Sequence, residues 1–511
     1  MKHVLLSYLQ SWQLAPGDAF KEEVQGSLAA TSARGGMHTL VGQGASFFVT
    51  TLRTLILARL LRPADFGLIG MVAVLITFAE LFKDAGLTTA TVQRPRITQQ
   101  DAGCMFCIHM LICAVITLLL WFCAPAVALF YRQPALLAVT RFLSLGFLIK
   151  GLSLQHYALL KRRMRYRELA FVQIVSQVAG FVAAVWSAFA GLGYWSLVAA
   201  SLATAGTYSL LLFVLCPWVP HVVAFSRSAW EMVKFGGWLT GFNVINYFAR
   251  NADNLLIGRF IGATSLGIYD RAYHILLLPI AMMSGPLSAV ALPVLSRLHD
   301  NRTRMHRYYL HVIYMLALCA SPMVGLLFVL ADELVLVLLG RGWEAVAPTF
   351  RILAIGALFQ PLYNTQAWLH VATGRADRVF RWGMIGTPLI LVGFLIGLPW
   401  GIPGVATAYS VATIVVTIGS LCYAADSAGL AFRRIVQASI LPLVATVVAA
   451  GVVMQLLSGQ PPMSILVSLF AKGAGFVLVY AVALVLLYRG MKPFRDMIWM
   501  WNLIRYPNIQ E

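Results

Sequence analysis

The chain has 511 residues, of which 60% are hydrophobic and 11% charged, and its formal net charge is +19. Soluble domains run at roughly 45–50% apolar and 25% charged, so an ordinary soluble enzyme is excluded. The charge invites a nucleic-acid reading, but the Lys and Arg residues fall in short segments between apolar runs, so no nucleic acid is expected as a partner.

The first residues, MKHVLLSYLQSWQLAPGDAF and onward, are mixed and polar. Gln10 and Gln13 interrupt the short apolar part, so there is no clean signal peptide. Residues 1–37 read as a cytoplasmic leader, with Met37 as an alternative start. From there apolar runs of about 20 residues follow one another, each long enough to cross a hydrocarbon core of about 30 Å as a helix. The strands of a transmembrane barrel alternate and are about half as long, which excludes that class. Spans are expected at about 38–61, 66–92, 102–125, 134–157, 168–190, 194–215, 235–261, 266–296, 307–330, 345–371, 380–398, 401–424, 434–457 and 463–488.

The Lys and Arg residues mark one set of loops: Arg94 and Arg96, the run from Lys161 to Arg167, Arg227 and Lys234, Arg297 to Arg307, Arg375 to Arg381, and Arg433 and Arg434. The opposite set holds little beyond Arg59, Arg62, Arg132, Arg259 and Arg341. Positive loops stay cytoplasmic, and an even span count then puts both termini there.

An internal repeat supplies the architecture. Leu57-Ala58-Arg59-Leu60-Leu61 through Phe66-Gly67-Leu68 returns about 200 residues later as Ile257-Gly258-Arg259-Phe260-Ile261 through Leu266-Gly267-Ile268. Six spans separate the copies, so both enter the membrane in the same sense. The expected fold class is an all-α polytopic membrane protein. About 14 transmembrane helices form two six-helix bundles, related by a parallel pseudo-two-fold repeat, with two further C-terminal helices. In residues, that is a leader at 1–37, a bundle at 38–216, a cytoplasmic linker at 217–234, a second bundle at 235–425, two added spans within 426–488 and a cytoplasmic tail at 489–511.

Charge inside a span is costly and usually retained for a purpose. Arg53 and Arg250 lie roughly 20 Å from the cytoplasmic ends of their helices, beyond mid-membrane. A guanidinium stays charged and grips phosphate bidentately. Arg53 and Arg250 are therefore candidates to cradle an anionic head group, together with Asp253, Asn254, Arg59, Arg259 and Arg351. Glu80, Lys83, Asp84, Asp270 and Arg271 are candidates for coupling or gating. Competing structural readings remain open: Arg53 paired with Glu80 or Asp84, Arg250 with Asp253 at i+3, and the outer residues marking the interface. Arg141, Lys150, His156, Gln360 and Asn364 either line the same cavity or snorkel. His109 and His274 are proton-relay candidates with hydrogen-bonded structural roles as the alternative. The run KRRMRYR at 161–167 is first a topology determinant and second an anionic-lipid contact. Trp238, Tyr247, Tyr363 and Trp368 are candidates for stacking on sugar rings.

Seven cysteines lie mostly inside spans, and Cys104-x-x-Cys107 has no second ligand pair, so packing is expected rather than metal. Gly-x4-Gly-Lys-Ser/Thr, His-Glu-x-x-His and Gly-x-Ser-x-Gly are all missing from the sequence, which argues against ATP hydrolysis and hydrolase chemistry. No enzyme activity and no cofactor are expected.

The stretch Ala58 to Arg94 resembles the signature of the polysaccharide-transporter (Wzx-type) branch of the MOP superfamily, the multidrug/oligosaccharidyl-lipid/polysaccharide exporters. The pieces are Arg59-Leu60-Leu61-x-Pro63-x-x-Phe66-Gly67, Asp84-x-Gly86-Leu87 and Val92-Gln93-Arg94. In the second half, Gly258-Arg259-Phe260-Ile261-Gly262-Ala263, Leu266-Gly267-x-Tyr269 and Arg271-Ala272-Tyr273 are similar to the family's repeat of it. The likeness runs from about residue 38 to 425.

The resemblance implies a bacterial inner-membrane flippase. Its cargo would be oligosaccharide units on undecaprenyl pyrophosphate, moved to the periplasmic leaflet for exopolysaccharide, capsule or O-antigen assembly. It implies membrane lipids around the chain and a polysaccharide polymerase and chain-length regulator as partners, and leaves the energy source open between H+ or Na+ exchange through Asp84, Glu80 or Asp253 and the membrane potential alone. A lipid II flippase and a cation-coupled multidrug exporter are the alternatives within the superfamily. A membrane glycosyltransferase is disfavoured by the short outer loops.

Overall fold

A computed structural model of the chain describes residues 28–84, 86–93, 97–220, 251–457 and 464–496. Within these, side chains are described except at 28–35, 90, 93, 278–279, 281–286, 288–290 and 376. Among the described residues there is no strand. The chain divides into two compact units, Met1–Gly267 and Ile268–Glu511.

The first unit begins with α1 (Leu28–Leu60) and α2 (Pro63–Lys83), joined by a two-residue turn. Proline suits this place because the first helical N–H has no acceptor inside the helix. The Asp65 carboxylate accepts from the Arg62 N–H at 2.9 Å and closes the turn. After α2 come the short α3 (Leu87–Gln93) and the long α4 (Gln99–Tyr131), α5 (Ala135–Arg162), α6 (Tyr166–Phe189) and α7 (Trp195–Leu215). The expected span at 66–92 is met by a candidate span at Pro63–Thr89, within which one helix ends at Lys83 and the next starts at Leu87. Gly86 takes φ 70°, a left-handed conformation that costs glycine least, and the Asp84 carboxylate accepts from the Thr88 N–H at 3.0 Å to start α3. Leu87 is then fully buried against Ile97, Cys104 and Leu159.

Inside the first unit α1 packs on α6, α6 on α7, and α5 on both α4 and α7, while α2 leans on α4 and α5. In a membrane such contacts rest on close approach and van der Waals packing. A Cβ on Gly151 of α5 would stand 2.8 Å from the Cys113 Cβ of α4, so the two helices touch where only glycine fits. The unit also holds α8 (residues 251–260) and the first turn of α9 (Ala263–Arg297). Here the repeat becomes a contact. A Cβ on Gly67 would stand 1.7 Å from the Ala263 carbonyl oxygen, and one on Gly267 2.1 Å from that of Pro63. Residues 63 and 67 each meet the repeat counterpart of the other, through backbone.

The second unit takes the rest of α9, then α10 (Arg302–Val329), α11 (Ala331–Leu338), α12 (Val346–Ala357), α13 (Gln360–Ala372), α14 (Ala376–Gly397), α15 (Gly401–Ala428), α16 (Phe432–Leu457) and α17 (Ile465–Tyr488). Its main core joins Leu295, Tyr309, Ile313, Leu369 and Ala424, with the Tyr309 and Thr365 hydroxyls 3.1 Å apart inside it. Trp368 belongs to this core, so it is a packing residue here rather than an open sugar platform. The last two helices dock on α10: Ser321 and Thr446 hydroxyls meet at 2.9 Å, and Phe476 lies beside Val329 and Val453.

Among the described residues, eleven segments are long and apolar enough to cross a membrane. One of them, 377–428, covers both α14 and α15, which the 3₁₀ turn Leu398–Trp400 separates. The expected span at 345–371 is met by a candidate span at Val346–Ala372, interrupted at Leu358–Phe359 into two helices. The expected span at 266–296 is α9. The one at 235–261 is described only from residue 251, and the proposed linker at 217–234 lies mostly outside the described residues.

Candidate functional site

Three helices of the first unit bring charge into the membrane level. Arg53 sits on α1, seven residues before its end, roughly 10 Å along the helix from Leu60. Among the described residues it has neither an ion pair nor a hydrogen bond from its guanidinium. The reading that pairs it with Glu80 or Asp84 therefore does not form, and the reason lies in the packing. α1 packs on α6, whereas α2 packs on α4 and α5.

Glu80 turns to α5 instead. Its Oε1 accepts from Lys150 Nζ at 2.6 Å and has Lys83 Nζ at 3.8 Å. Two ammonium groups thus share one carboxylate oxygen, and the trio carries a net positive charge. Its exposure differs by member: 35% for Glu80 and Lys150, 18% for Lys83. Lys150 is positioned by its neighbour Gly151, where α5 presses against α4. Sequence reasoning set Lys150 among the residues that either line a cavity or snorkel. The missing information was the 70-residue separation that folding closes.

Asp84 ends α2 and caps α3 through the Thr88 N–H and hydroxyl. His109 Nε2 of α4 lies 3.4 Å from Asp84 Oδ1. His109 is fully buried, and neither of its ring nitrogens is hydrogen-bonded among the described residues. Glu80, Lys83 and Asp84 thus stand together, as their spacing on one helix end anticipates, with Lys150 and His109 added from other helices.

The remaining candidates are spread. Arg250, Trp238 and Tyr247 lie outside the described residues, so the expected Arg250–Asp253 pair does too. Asp253 is buried and accepts from the Asn254 N–H at 2.8 Å. Arg59 is exposed in the last turn of α1. The Arg259 guanidinium lies over Phe130 at 5.4 Å and Phe260 at 5.6 Å, a favourable seat for a cation at an interface.

In the second unit Arg271 donates to Asp270 at 2.6 Å, and His274 lies 3.6 Å from the same carboxylate. Arg351 donates to Asp332 at 2.5 Å and to the Phe328 carbonyl at 3.3 Å. The pair Glu333 and Lys472, at 2.5 Å, escaped the sequence reading, and Ser468 donates to the same Glu333 oxygen at 2.6 Å. The available signal was Lys472 itself, the single charge of α17. An apolar groove of about 620 Å³ runs along α14 and α15, past Leu389, Gly393, Gly404 and Val411. No charged side chain lines it, so it suits hydrocarbon rather than phosphate.

From the run at 161–167, Arg162 is buried and donates to the Thr91 carbonyl at 2.9 Å, satisfying the end of α3. Cys104 is packed in the same core as Leu87. Among the described residues no group of three or more His, Cys, Asp or Glu side chains is placed to hold a metal ion.

A family described as polysaccharide biosynthesis protein matches residues 56–348. The teichuronic acid biosynthesis protein TuaB of Bacillus subtilis strain 168 is 28% identical over 60% of this chain and 64% of its own length. The chain therefore spans just under two thirds of that relative. The lipopolysaccharide biosynthesis protein WzxC of Escherichia coli K12 is 23% identical, over 71% of this chain and 74% of its own length. The succinoglycan biosynthesis transport protein ExoT of Rhizobium meliloti strain 1021 is 24% identical, over 70% and 72%. Among solved structures, a lipid II flippase MurJ in an inward closed conformation matches with a TM-score of 0.66. It is 13% identical, and the match covers 90% of this chain and 99% of that one. An inward-facing MATE family transporter of the MOP superfamily matches with 0.57, at 13% identity over 76% and 98%. At these identities the likeness establishes the fold alone, the polytopic helical fold of these two structures.

Proposed function

The chain belongs to the polysaccharide biosynthesis protein family, and from that premise we propose that it is a flippase for lipid-linked oligosaccharides. Family and fold both point to a membrane transporter rather than a catalyst. The cargo in this reading is an oligosaccharide unit on undecaprenyl pyrophosphate, carried from the cytoplasmic to the periplasmic leaflet of a bacterial inner membrane. The product feeds an exopolysaccharide, capsule or O-antigen. Both termini lie in the cytoplasm, and the polymerase and chain-length regulator of the polymer are the expected partners.

Arg53 is the observation that carries the reading. A charge inside a span is costly, up to about 2.5–3.5 kcal/mol at the centre on insertion scales, and among the described residues no carboxylate offsets that cost for Arg53. A guanidinium held there in reserve suits an incoming diphosphate, which it can grip with two parallel hydrogen bonds. Arg250, Asp253, Asn254, Arg59, Arg259 and Arg351 complete the proposed substrate path. Glu80, Lys83, Asp84, Asp270 and Arg271 serve as coupling or gating groups, with H+ or Na+ as the coupling ion. The printed names of the relatives, among them a lipopolysaccharide biosynthesis protein and a succinoglycan transport protein, support a polysaccharide cargo. The MurJ likeness supports the fold and leaves the cargo to them.

Deleting the gene tests this. Lipid-linked oligosaccharide should accumulate on the cytoplasmic leaflet and surface polymer should disappear. Polymer export at the undeleted level would count against the proposal.

A further inference from the structure

We propose that Lys83 and Lys150 form a phosphate-loading station in which Glu80 stands in for the substrate's anion until the substrate arrives. The inference rests on the flippase reading and adds a second anion site at a different depth. Leu60 and Pro63 end their helices at the same short turn, so depths along α1 and α2 have a common origin. Arg53 lies roughly 10 Å from that origin and Glu80 roughly 26 Å, by the rise of an α-helix. The lysine pair is thus roughly 15 Å deeper toward the cytoplasmic side than Arg53, where a cytoplasmic head group would arrive first.

The geometry fits exchange. Both ammonium groups converge within 4 Å of a single Glu80 oxygen. The Glu80 carboxylate alone cannot neutralise two cations, and Asp84 beside Lys83 is engaged by the Thr88 N–H and hydroxyl, so the trio is a partly neutralised site rather than a closed pair. The diphosphate of the cargo, esterified at both ends, offers two negative charges and four non-bridging oxygens against the single charge of a carboxylate, and charge-assisted hydrogen bonds to it are stronger than neutral ones. Glu80 and Lys150 keep about a third of their side-chain surface open. Open charge at membrane level belongs on a polar, water-reached face rather than against lipid tails, so a head group can reach it. Without Glu80 the empty site would hold two ammonium groups with only Asp84 nearby, a carboxylate already accepting from the Thr88 N–H and hydroxyl, which is costly at this depth. The carboxylate therefore has a role in the unloaded protein and a reason to yield in the loaded one.

Calorimetric titration of farnesyl pyrophosphate into the purified full-length protein in lipid nanodiscs tests the station. Lys150→Gln and Lys83→Gln should each weaken binding about tenfold, the worth of a hydrogen bond to a charged group, and Lys150→Arg should restore most of it. Glu80→Gln should tighten binding about threefold or more by removing the competitor, a gain that misfolding cannot produce. Inorganic pyrophosphate should compete poorly, because a lipid ligand is also held through its prenyl chain.

Wild-type affinity in both lysine variants would overturn the station while leaving the flippase reading intact. Weaker binding by Glu80→Gln would overturn the stand-in role. Displacement by inorganic pyrophosphate at equal concentration would identify a soluble anion as the ligand and overturn the loading role. A wild-type protein that binds no prenyl pyrophosphate would bring down the flippase reading and the station with it.

Discussion

At the scale of single residues, Arg53 separates what a sequence can say from what only a fold decides. Its position in an apolar run is enough to mark it, since charge is rare at that depth. Its partner is not legible, because Glu80 and Asp84 lie 27 and 31 residues away in the chain and either carboxylate is within imaginable reach. Folding assigns Glu80 to Lys150, which sits 70 residues from it, and Asp84 to the Thr88 N–H and the His109 ring. Arg53 is then left with no carboxylate among the described residues, which shifts it from structure toward ligand. Replacing it with alanine should cut polymer export at least about tenfold at unchanged protein level, the effect of one lost charge-assisted contact to phosphate. Lysine at the same place keeps the charge and loses the planar fork, so its export should fall between those of alanine and wild type. Quantifying surface polymer against immunoblotted protein checks both. Full export by Arg53→Ala would remove Arg53 from the substrate path.

At the scale of elements, the family-like signature Asp84-x-Gly86-Leu87 is visible in the sequence, but its physical meaning is not. The apolar pattern continues through residues 66–92, so a single span is the natural reading. The break comes from the left-handed Gly86 and the capping Asp84, neither of which disturbs hydrophobicity. α11 was missed for a related reason: eight residues are too few to register as a span. It carries Asp332 and Glu333 into ion pairs with Arg351 and Lys472 on two different helices. α17 lies outside the sequence repeat, so this pair is one polar anchor that ties it to the second unit. Removing one member of a mostly buried pair leaves the other charge uncompensated, whereas replacing both with apolar groups need not destabilise. Lys472→Leu alone should therefore lower the melting temperature of the detergent-solubilised protein, and Glu333→Leu with Lys472→Leu should recover much of the loss. A double variant less stable than the single one would refute the anchor.

At the scale of the whole molecule, the placing of apolar runs was the most legible feature, although eleven segments rather than about 14 qualify as spans among the described residues. The bilayer itself sets their length, and the sequence has to obey it residue by residue. The repeat was legible too, and within the first unit it surfaces as the reciprocal approach of Gly67 to Ala263 and of Gly267 to Pro63. Sequence could propose the equivalence of these turns but not their contact. Orientation is a different matter, because helices alone have no inside and outside. It rests on the basic loops, and Arg162 shows how a basic run can serve two ends, being buried against the α3 carbonyls while Lys161 and Arg163 are half-buried and Arg167 is exposed. If positive loops do remain in the cytoplasm, alkaline phosphatase fused after Met164, between α5 and α6, should be inactive. The same enzyme fused after Leu192, between α6 and α7, should be active, since it folds only once exported. α6 has 24 residues, enough to cross the hydrocarbon once at about 1.5 Å per residue, so the two junctions must differ. Activity at Met164 with none at Leu192 would invert the molecule, place the lysine pair on the periplasmic side of Arg53, and make it a release site instead of a loading one.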